Sequence, residues 1–508
     1  MVGRGIISLV YIVVFSIFSF STLAQENNKT RLELKVRSGE KQPEVVPLGE
    51  FGVAVFNPSR AKKSANDALI KFTCYSVEFE KSWETEIAVS KKLGLTKYEF
   101  INGQLYLLFH HGNREDLQIV KIDPEDGAYE KFDFYALKRL EINDFTISDN
   151  KVYIVGSLRN APIAQELNLE TTRVRTLPAA INGKSVEATD IFINPDNGAV
   201  SVTFNSTIHK NKTSIIRSYF ESGSKFEDFL ISPDTQYDLL TAKLSSPKED
   251  EKLVLGTYGY RKSVNSQGFY IAKFTNDQKD FVRYNSFTDL NNFFAFLNDK
   301  EQERIENKVE KRKSKGKDLR VQYRLLIHDI ISNGDQNIMI GEAYYPVYKR
   351  VRDYNYYNYY NYYSYARSRY RTRVVFDGNQ FTHAVIAGFD KQGNLLWDHS
   401  FKINEIKTPD LKEKVKVYQD GDEITLFYNL EGKINKITIL DNNVVSEAEE
   451  QKIASAYEED KVKKADLGAA EYWYDNYFIA WGQQRIKNAE QEDVKRKRDV
   501  FYINKMSF

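Results

Sequence analysis

The sequence predicts an all-β chain assembled from repeated four-stranded units, and three observations carry that prediction. Aromatic side chains are abundant, with 33 Tyr and 32 Phe, whereas Met and Pro number only 3 and 11; aromatic residues favour the pleated, half-buried surface of a strand. Short alternating or apolar runs are bounded by Asn-Gly, Asp-Gly or Asp-Asn pairs, whose residues tolerate the positive φ of tight hairpin turns. Such runs recur at near-regular spacing, the mark of a repeat architecture. A 28% charged fraction of both signs, with ample aromatics for a core, excludes a disordered chain.

The N-terminus reads as an export signal. Arg4 is the one charge in residues 1–24, followed by an apolar run from Ile6 to Phe20 and then Ser-Thr-Leu-Ala. A basic start, an apolar stretch of about 15 residues and a small residue at the cut describe a cleaved signal peptide. Cleavage is expected after Ala24, with Thr22 three residues before the cut. The apolar run is short for a span of about 20 residues, so no transmembrane segment is expected in the mature chain. Without Arg4 the positive and negative charges balance. The protein is expected to be periplasmic, cell-surface or extracellular.

The unit that follows reads strand, tight turn, strand, loop, strand, tight turn, strand. One copy runs Lys97–Ile101, the turn Asn102-Gly103, Gln104–Phe109, a loop, Leu117–Ile122, a second turn and Ala128–Phe134. The second strands of successive units are anchored at Val53, Leu105, Val152, Val200, Leu253, Ile338, Ile424 and Phe478. Four strands per 45–50 residues is the period of a β-propeller blade. Seven or eight blades are predicted, eight being favoured, over residues 25–508; two stacked β-sandwiches are the rival. The last unit stops at its third strand, and Arg31–Arg37 is a spare alternating strand, expected to complete that unit and close the ring. Closure also removes exposed sheet edges.

Two long steps in the spacing are insertions. Residues 289–318 form a charged helical segment, apolar at Phe293, Phe294, Phe296 and Leu297 and then rich in Glu, Lys and Arg. Residues 349–373 form a Tyr/Arg-rich loop. The segment Phe389-Asp-Lys-Gln-Gly-Asn-Leu-Leu-Trp397 resembles the outer hairpin of secreted bacterial propellers of the quinoprotein-like kind. That resemblance implies the fold and brings no active site with it.

In an up-and-down unit, first-to-second and third-to-fourth turns lie on one face, and second-to-third loops and unit-to-unit connections on the other. The first set is short and acidic, as at Asp123–Gly127 and Gln419–Glu423. The second is expected to be longer and basic, as at Arg60/Lys62/Lys63, Lys210/Lys212 and Arg261/Lys262. A neutral protein is thus expected to carry a positive potential over one face, and both insertions fall on it. Recognition commonly sits on loops held by a rigid scaffold.

The candidate binding residues are Arg350, Arg352, Tyr356, Tyr357, Tyr359, Tyr360, Tyr362, Tyr363, Arg367, Arg369 and Arg371. Tyrosine offers contact area at low entropy cost and arginine offers planar bidentate donors. An envelope protein or an anionic polysaccharide would suit them. Bases and phosphates would suit them too, but the export signal argues against nucleic acid.

Acids on the innermost strands, Glu99, Asp144, Asp190, Asp238, Asp329 and Glu471, are expected to line a central channel. No cofactor is called for; such a ring would at most hold a cation such as calcium or supply a general acid and base for a polysaccharide hydrolase or lyase. The six His residues are scattered, and His328 beside Asp329 is the one suggestive pair. No Gly-x-Ser-x-Gly elbow, phosphate-binding Gly-rich loop or His-Glu-x-x-His is present. The lone Cys74 allows no intramolecular disulfide and no multi-thiolate metal site; it is expected to pack as a small hydrophobe.

Overall fold

The computed structural model describes residues 30–36, 42–194, 197–245, 251–275, 278–353, 371–404, 406–490 and 495–508. Residues 1–24, expected to be the signal peptide, lie outside them.

Among the described residues the strands form eight antiparallel sheets that follow one another along the chain. Every second-strand anchor read from the sequence falls in the second strand of its own sheet, from Val53–Phe56 in the first to Tyr477–Lys487 in the eighth. The turns use the residues that make them cheap. Asn102 and Gly103 sit at φ 51° and 68° between Gly94–Ile101 and Gln104–His110, the left-handed region open to Asn and Gly.

The packing closes these sheets into a β-propeller. Each of eight apolar clusters joins two consecutive sheets. Phe72, Ile87, Leu107 and Val120 join the first to the second, and Phe427, Phe478 and Tyr502 the seventh to the eighth. The cluster that returns from the eighth sheet to the first contains Leu32, Val45, Val55, Trp481 and Phe501. Each sheet thus shares an apolar cluster with the sheet before it and another with the sheet after it, which is how single sheets too small to fold alone share a core. Cys74 lies within the first cluster, its thiol pushed up to about 12 by burial.

The ring closes as the spare strand implied. Arg31–Lys35 pairs antiparallel with Lys497–Ser507, from Arg31 opposite Asn504 to Lys35 opposite Val500. Arg31 pins the seam. Its buried guanidinium donates to Glu33 Oε1 (2.9 Å), the Ala454 carbonyl (2.9 Å), Asn504 Oδ1 (3.0 Å) and Gln484 Oε1 (3.0 Å), and lies 4.8 Å from the Tyr502 ring centroid.

The segment resembling a quinoprotein-like outer hairpin is the third-to-fourth-strand hairpin of the sixth sheet. Asp390 accepts from the Gln392 and Asn394 amides at 2.9 and 2.8 Å, which folds the turn. Trp397 donates to Gln336 Oε1 at 2.9 Å and lies flat over Gly388, where an added Cβ would stand 2.3 Å from its Nε1.

Two expectations need correction. Second-to-third connections are not uniformly long: Arg159-Asn160, His209-Lys210 and Glu431-Gly432 are two-residue turns with positive φ at all six positions. The inner strands of the fifth, sixth and eighth sheets are each broken in two, for example Tyr237–Leu239 and Lys243–Leu244.

Candidate binding ribbon and axial charge ring

The sixth sheet differs from the others in its two middle strands. Gln336–Asp353 and Arg371–Asp390 run 18 and 20 residues, whereas among the described residues no other strand exceeds 11. They stay paired from Gln336 opposite Asp390 out to Asp353 opposite Arg371, with bulges at Ala343/Tyr344 and Val347/Tyr348. Residues 349–353 and 371–373, expected in a loop, are therefore strand: Arg350 faces Val374, Val351 faces Arg373, and Arg352 faces Thr372. Alternating Val, Tyr and Arg suit a two-stranded ribbon, and the long charged side chains leave it soluble. Tyr356, Tyr357, Tyr359, Tyr360, Tyr362, Tyr363, Arg367 and Arg369 lie outside the described residues.

The ribbon base is braced. Lys407–Thr408 pairs with Asn379 and Gln380, and Asp377 bridges Lys349 (2.6 Å) and Lys407 (2.8 Å), which hold its carboxyl well below the usual range, to about 2. Beyond this brace the ribbon exposes apolar side chains that sequence reasoning missed. Tyr348 and Phe376 meet edge-on at 6.0 Å and are 58% and 47% exposed, and Val374 is 62% exposed. Their signal was alternation continuing past the sheet's normal length.

The helical insertion docks beside this base. Phe293 and Phe296 pack on the His383 imidazole, Phe296 stacked at 3.8 Å and Phe293 edge-on at 5.0 Å. His383 is buried on the third strand of the sixth sheet, and burial drives its basicity down to about 3. The helix Asp299–Lys313 is capped by Asn298, whose Oδ1 accepts from the Glu301 amide at 3.1 Å, and it buries no residue. Lys313 ties its far end back to Asp289 at 2.8 Å.

The strand order places successive turns on opposite rims. The rim with first-to-second and third-to-fourth turns exposes Glu78, Glu80, Glu125, Asp126, Asp422 and Asp475; the ribbon's rim exposes Lys91, Lys92, Arg114, Lys138, Lys210 and Arg261.

At the axis, the innermost strands bring together five of the six predicted acids, together with lysines that the sequence reading passed over. Lys97 binds Asp144 at 2.9 Å, Lys243 binds both Asp190 and Asp329 (2.8 Å to Asp329), and Lys416 binds Glu471 at 2.8 Å. Burial pushes the Asp190 carboxyl up to about 6 although Lys243 pulls it down. Burial, then repulsion from Asp144, pushes Glu99 up to about 7. Asp329, on the sixth sheet, also repels Glu99 on the second, so the inner strands converge on a common axis.

Asp238 does not join them. It lies opposite Gly259, about 13 Å along the strand from Leu255 where Lys243 pairs. There it accepts from the Lys212 and Lys262 amides at 2.9 and 2.8 Å, holding two turns together. His328 pairs not with Asp329 but with Glu342, at 2.8 Å. The buried Glu342 carboxylate also accepts from the Lys414 (2.9 Å) and Val415 (3.0 Å) amides, a structural clamp on the chain entering the seventh sheet. Among the described residues no three His, Cys, Asp or Glu side chains converge as metal ligands, and Asp144, Asp190, Asp329 and Glu471 each pair with a lysine.

No protein family model matches the chain, and no curated protein matches it. Solved structures do resemble it. The WD40 domain of Toxoplasma gondii coronin aligns at 10% identity and a TM-score of 0.38, over 80% of this chain and 79% of that one. The β-propeller domain of Vanderwaltozyma polyspora Nup133 aligns at 10% and 0.38, over 89% and 100%. The polysaccharide lyase Uly1 aligns at 8% and 0.41, over 92% and 99%. Likenesses this remote bring no activity with them, and the propeller assignment stands on the ring of sheets itself. No helix among the described residues is long and apolar enough to cross a membrane.

Proposed function

We propose that the protein is an exported, non-enzymatic binding module that engages an anionic partner, a protein or an acidic glycan, through the ribbon of the sixth sheet. One observation carries this: two strands outgrow their sheet and project a basic ribbon whose exposed Tyr348, Phe376 and Val374 have no core to serve. Exposed aromatics beside arginines supply contact area and bidentate donors together. The basic rim around the ribbon adds long-range attraction for an anion. The test joins Val347 to its paired neighbour Gly378 through Asn-Gly, which removes Tyr348, Phe376 and Val374 with the ribbon, and compares that variant with the intact mature chain in a pull-down from envelope extract and on immobilised acidic polysaccharide. Loss of a partner with the ribbon supports the reading; identical retention by both baits overturns it.

A second reading has its own observation. Glu99, pushed up to about 7 beside Asp144, is poised to give and take a proton near neutral pH. A polysaccharide hydrolase or lyase working at the axis would lose turnover in Glu99→Gln and in Asp190→Asn without losing the fold. Turnover of a polysaccharide that survives both changes removes this reading.

A further inference from the structure

We propose that the open edge of the ribbon's first strand takes an extended acidic segment of a partner polypeptide as an added β-strand. This rests on the ribbon being the binding element and specifies how it binds.

Within the sheet, Gln336–Asp353 is flanked on its inner side by Arg324–Ile327, whose pairing ends where Arg324 meets Tyr344. From Tyr345 to Asp353 the strand pairs with Arg371–Asp390 alone, and among the described residues no other backbone group hydrogen-bonds to it. That leaves an edge of about 30 Å presenting main-chain donors and acceptors to solvent.

Pro346 shows which groups face outward. A proline inside a ladder sits where its missing N–H would point away from the neighbouring strand. The two-residue period then directs the N–H groups of Tyr348, Arg350 and Arg352 to the same open side. An added strand would hydrogen-bond there and lay alternate side chains against the ribbon's two faces, one bearing Tyr348 and Phe376.

Charge selects the occupant. The first strand carries Lys349, which Asp377 binds, then Arg350 and an arginine at position 352, and arginines stand at positions 371 and 373 of the partner strand. A second copy pairing edge to edge would set lysine and arginine against lysine and arginine, which is unfavourable between paired strands. A strand carrying Asp or Glu at alternate positions reverses the sign. An acidic polysaccharide meets the same charges but has no two-residue alternation to match the backbone groups.

Two substitutions at one position separate these occupants. Arg350→Ala removes the cation and keeps the main-chain donor; Arg350→Pro removes both, at a site where the ribbon's own pairing does not use that N–H. Arg352→Pro and Arg352→Ala repeat the comparison nearer the tip, so that a ribbon disturbed at Arg350 does not decide the matter. The probes are a fluorescent peptide alternating glutamate and valine, and dextran sulfate, measured on the full mature chain by anisotropy and by competition. Each proline variant is expected to bind the peptide about tenfold more weakly than its alanine counterpart, with dextran sulfate affected equally by both. Equal peptide affinity for the proline and alanine variants at both positions overturns strand addition, as does dextran sulfate binding with no peptide binding. If the chain lacking the ribbon binds both probes as well as the intact chain does, the binding role of the ribbon itself falls.

Discussion

Replacing Glu99 by glutamine should stabilise this protein, increasingly so as pH rises from 4.5 to about 7. Glu99 Oε1 has one weak partner, the Thr146 hydroxyl at 3.5 Å, and its buried Oε2 has none. Burial and the neighbouring Asp144 raise its carboxyl from the ordinary 4.5 to about 7. The interval between those values corresponds to roughly 3 kcal/mol of cost for the charged form. The side chain keeps partial contact with water, and screening reduces that to about 1–2 kcal/mol.

The sign follows from proton uptake. Between pH 4.5 and about 7 the folded chain holds a proton that the unfolded chain releases, so wild-type stability falls as pH rises through this window. The glutamine variant has no such dependence. For a chain of this size the unfolding entropy converts the difference to about 1–2 °C. Melting followed by intrinsic fluorescence should show coincident transitions at pH 4.5 and a higher midpoint for Glu99→Gln at pH 8. A midpoint difference that does not change with pH, or one that favours wild type at pH 8, refutes the account of the axial ring.

Other sites give independent tests. Arg31→Ala leaves Gln484 Oε1 and Asn504 Oδ1 without their donor at the seam, while the Ala454 carbonyl keeps Asn504 Nδ2 and Glu33 keeps Arg498, so it should cost about 2–4 kcal/mol in urea unfolding. Arg31→Lys should recover little of that, because the contacts need a planar fork; a lysine variant as stable as wild type would contradict the geometry. For His328, burial lowers the imidazolium and the Glu342 hydrogen bond more than offsets it, leaving a raised value. The pair's contribution is complete below about pH 6.5 and fades as pH rises through the folded value, so His328→Gln should flatten the alkaline fall in stability. Gly388→Ala drives a methyl into Trp397 and should cost about 1–3 kcal/mol, with a shift in tryptophan emission.

The eight anchors were legible because each is a buried residue near the start of a strand that follows a turn or loop. The closing strand was legible as well: Arg-Leu-Glu-Leu-Lys alternates and the last unit lacked a fourth strand. The tight turns at Arg159 and at His209-Lys210 were not, since nothing about Arg, His or Lys signals positive φ; the neighbouring strand registers impose it. The axial lysines were missed because only the acids of the innermost strands were singled out, although Lys97 sits two residues before Glu99 on the same strand face. Asp238 belongs to a broken inner strand, and membership of an inner strand does not report height along the axis. His328 was matched to its sequence neighbour Asp329, when its partner lay on the adjacent strand.

The seam has a consequence for the order in which this molecule can be made. Arg31 and Asn504 are paired neighbours in space, yet more than 470 further residues must be synthesised before the second exists. Throughout elongation, Arg31–Lys35 waits with nothing to join, while sheets whose strands are contiguous in sequence assemble behind it. The first-made strand is therefore the last to dock, and shortening the C-terminal strand would leave two ends of the molecule unfinished at once.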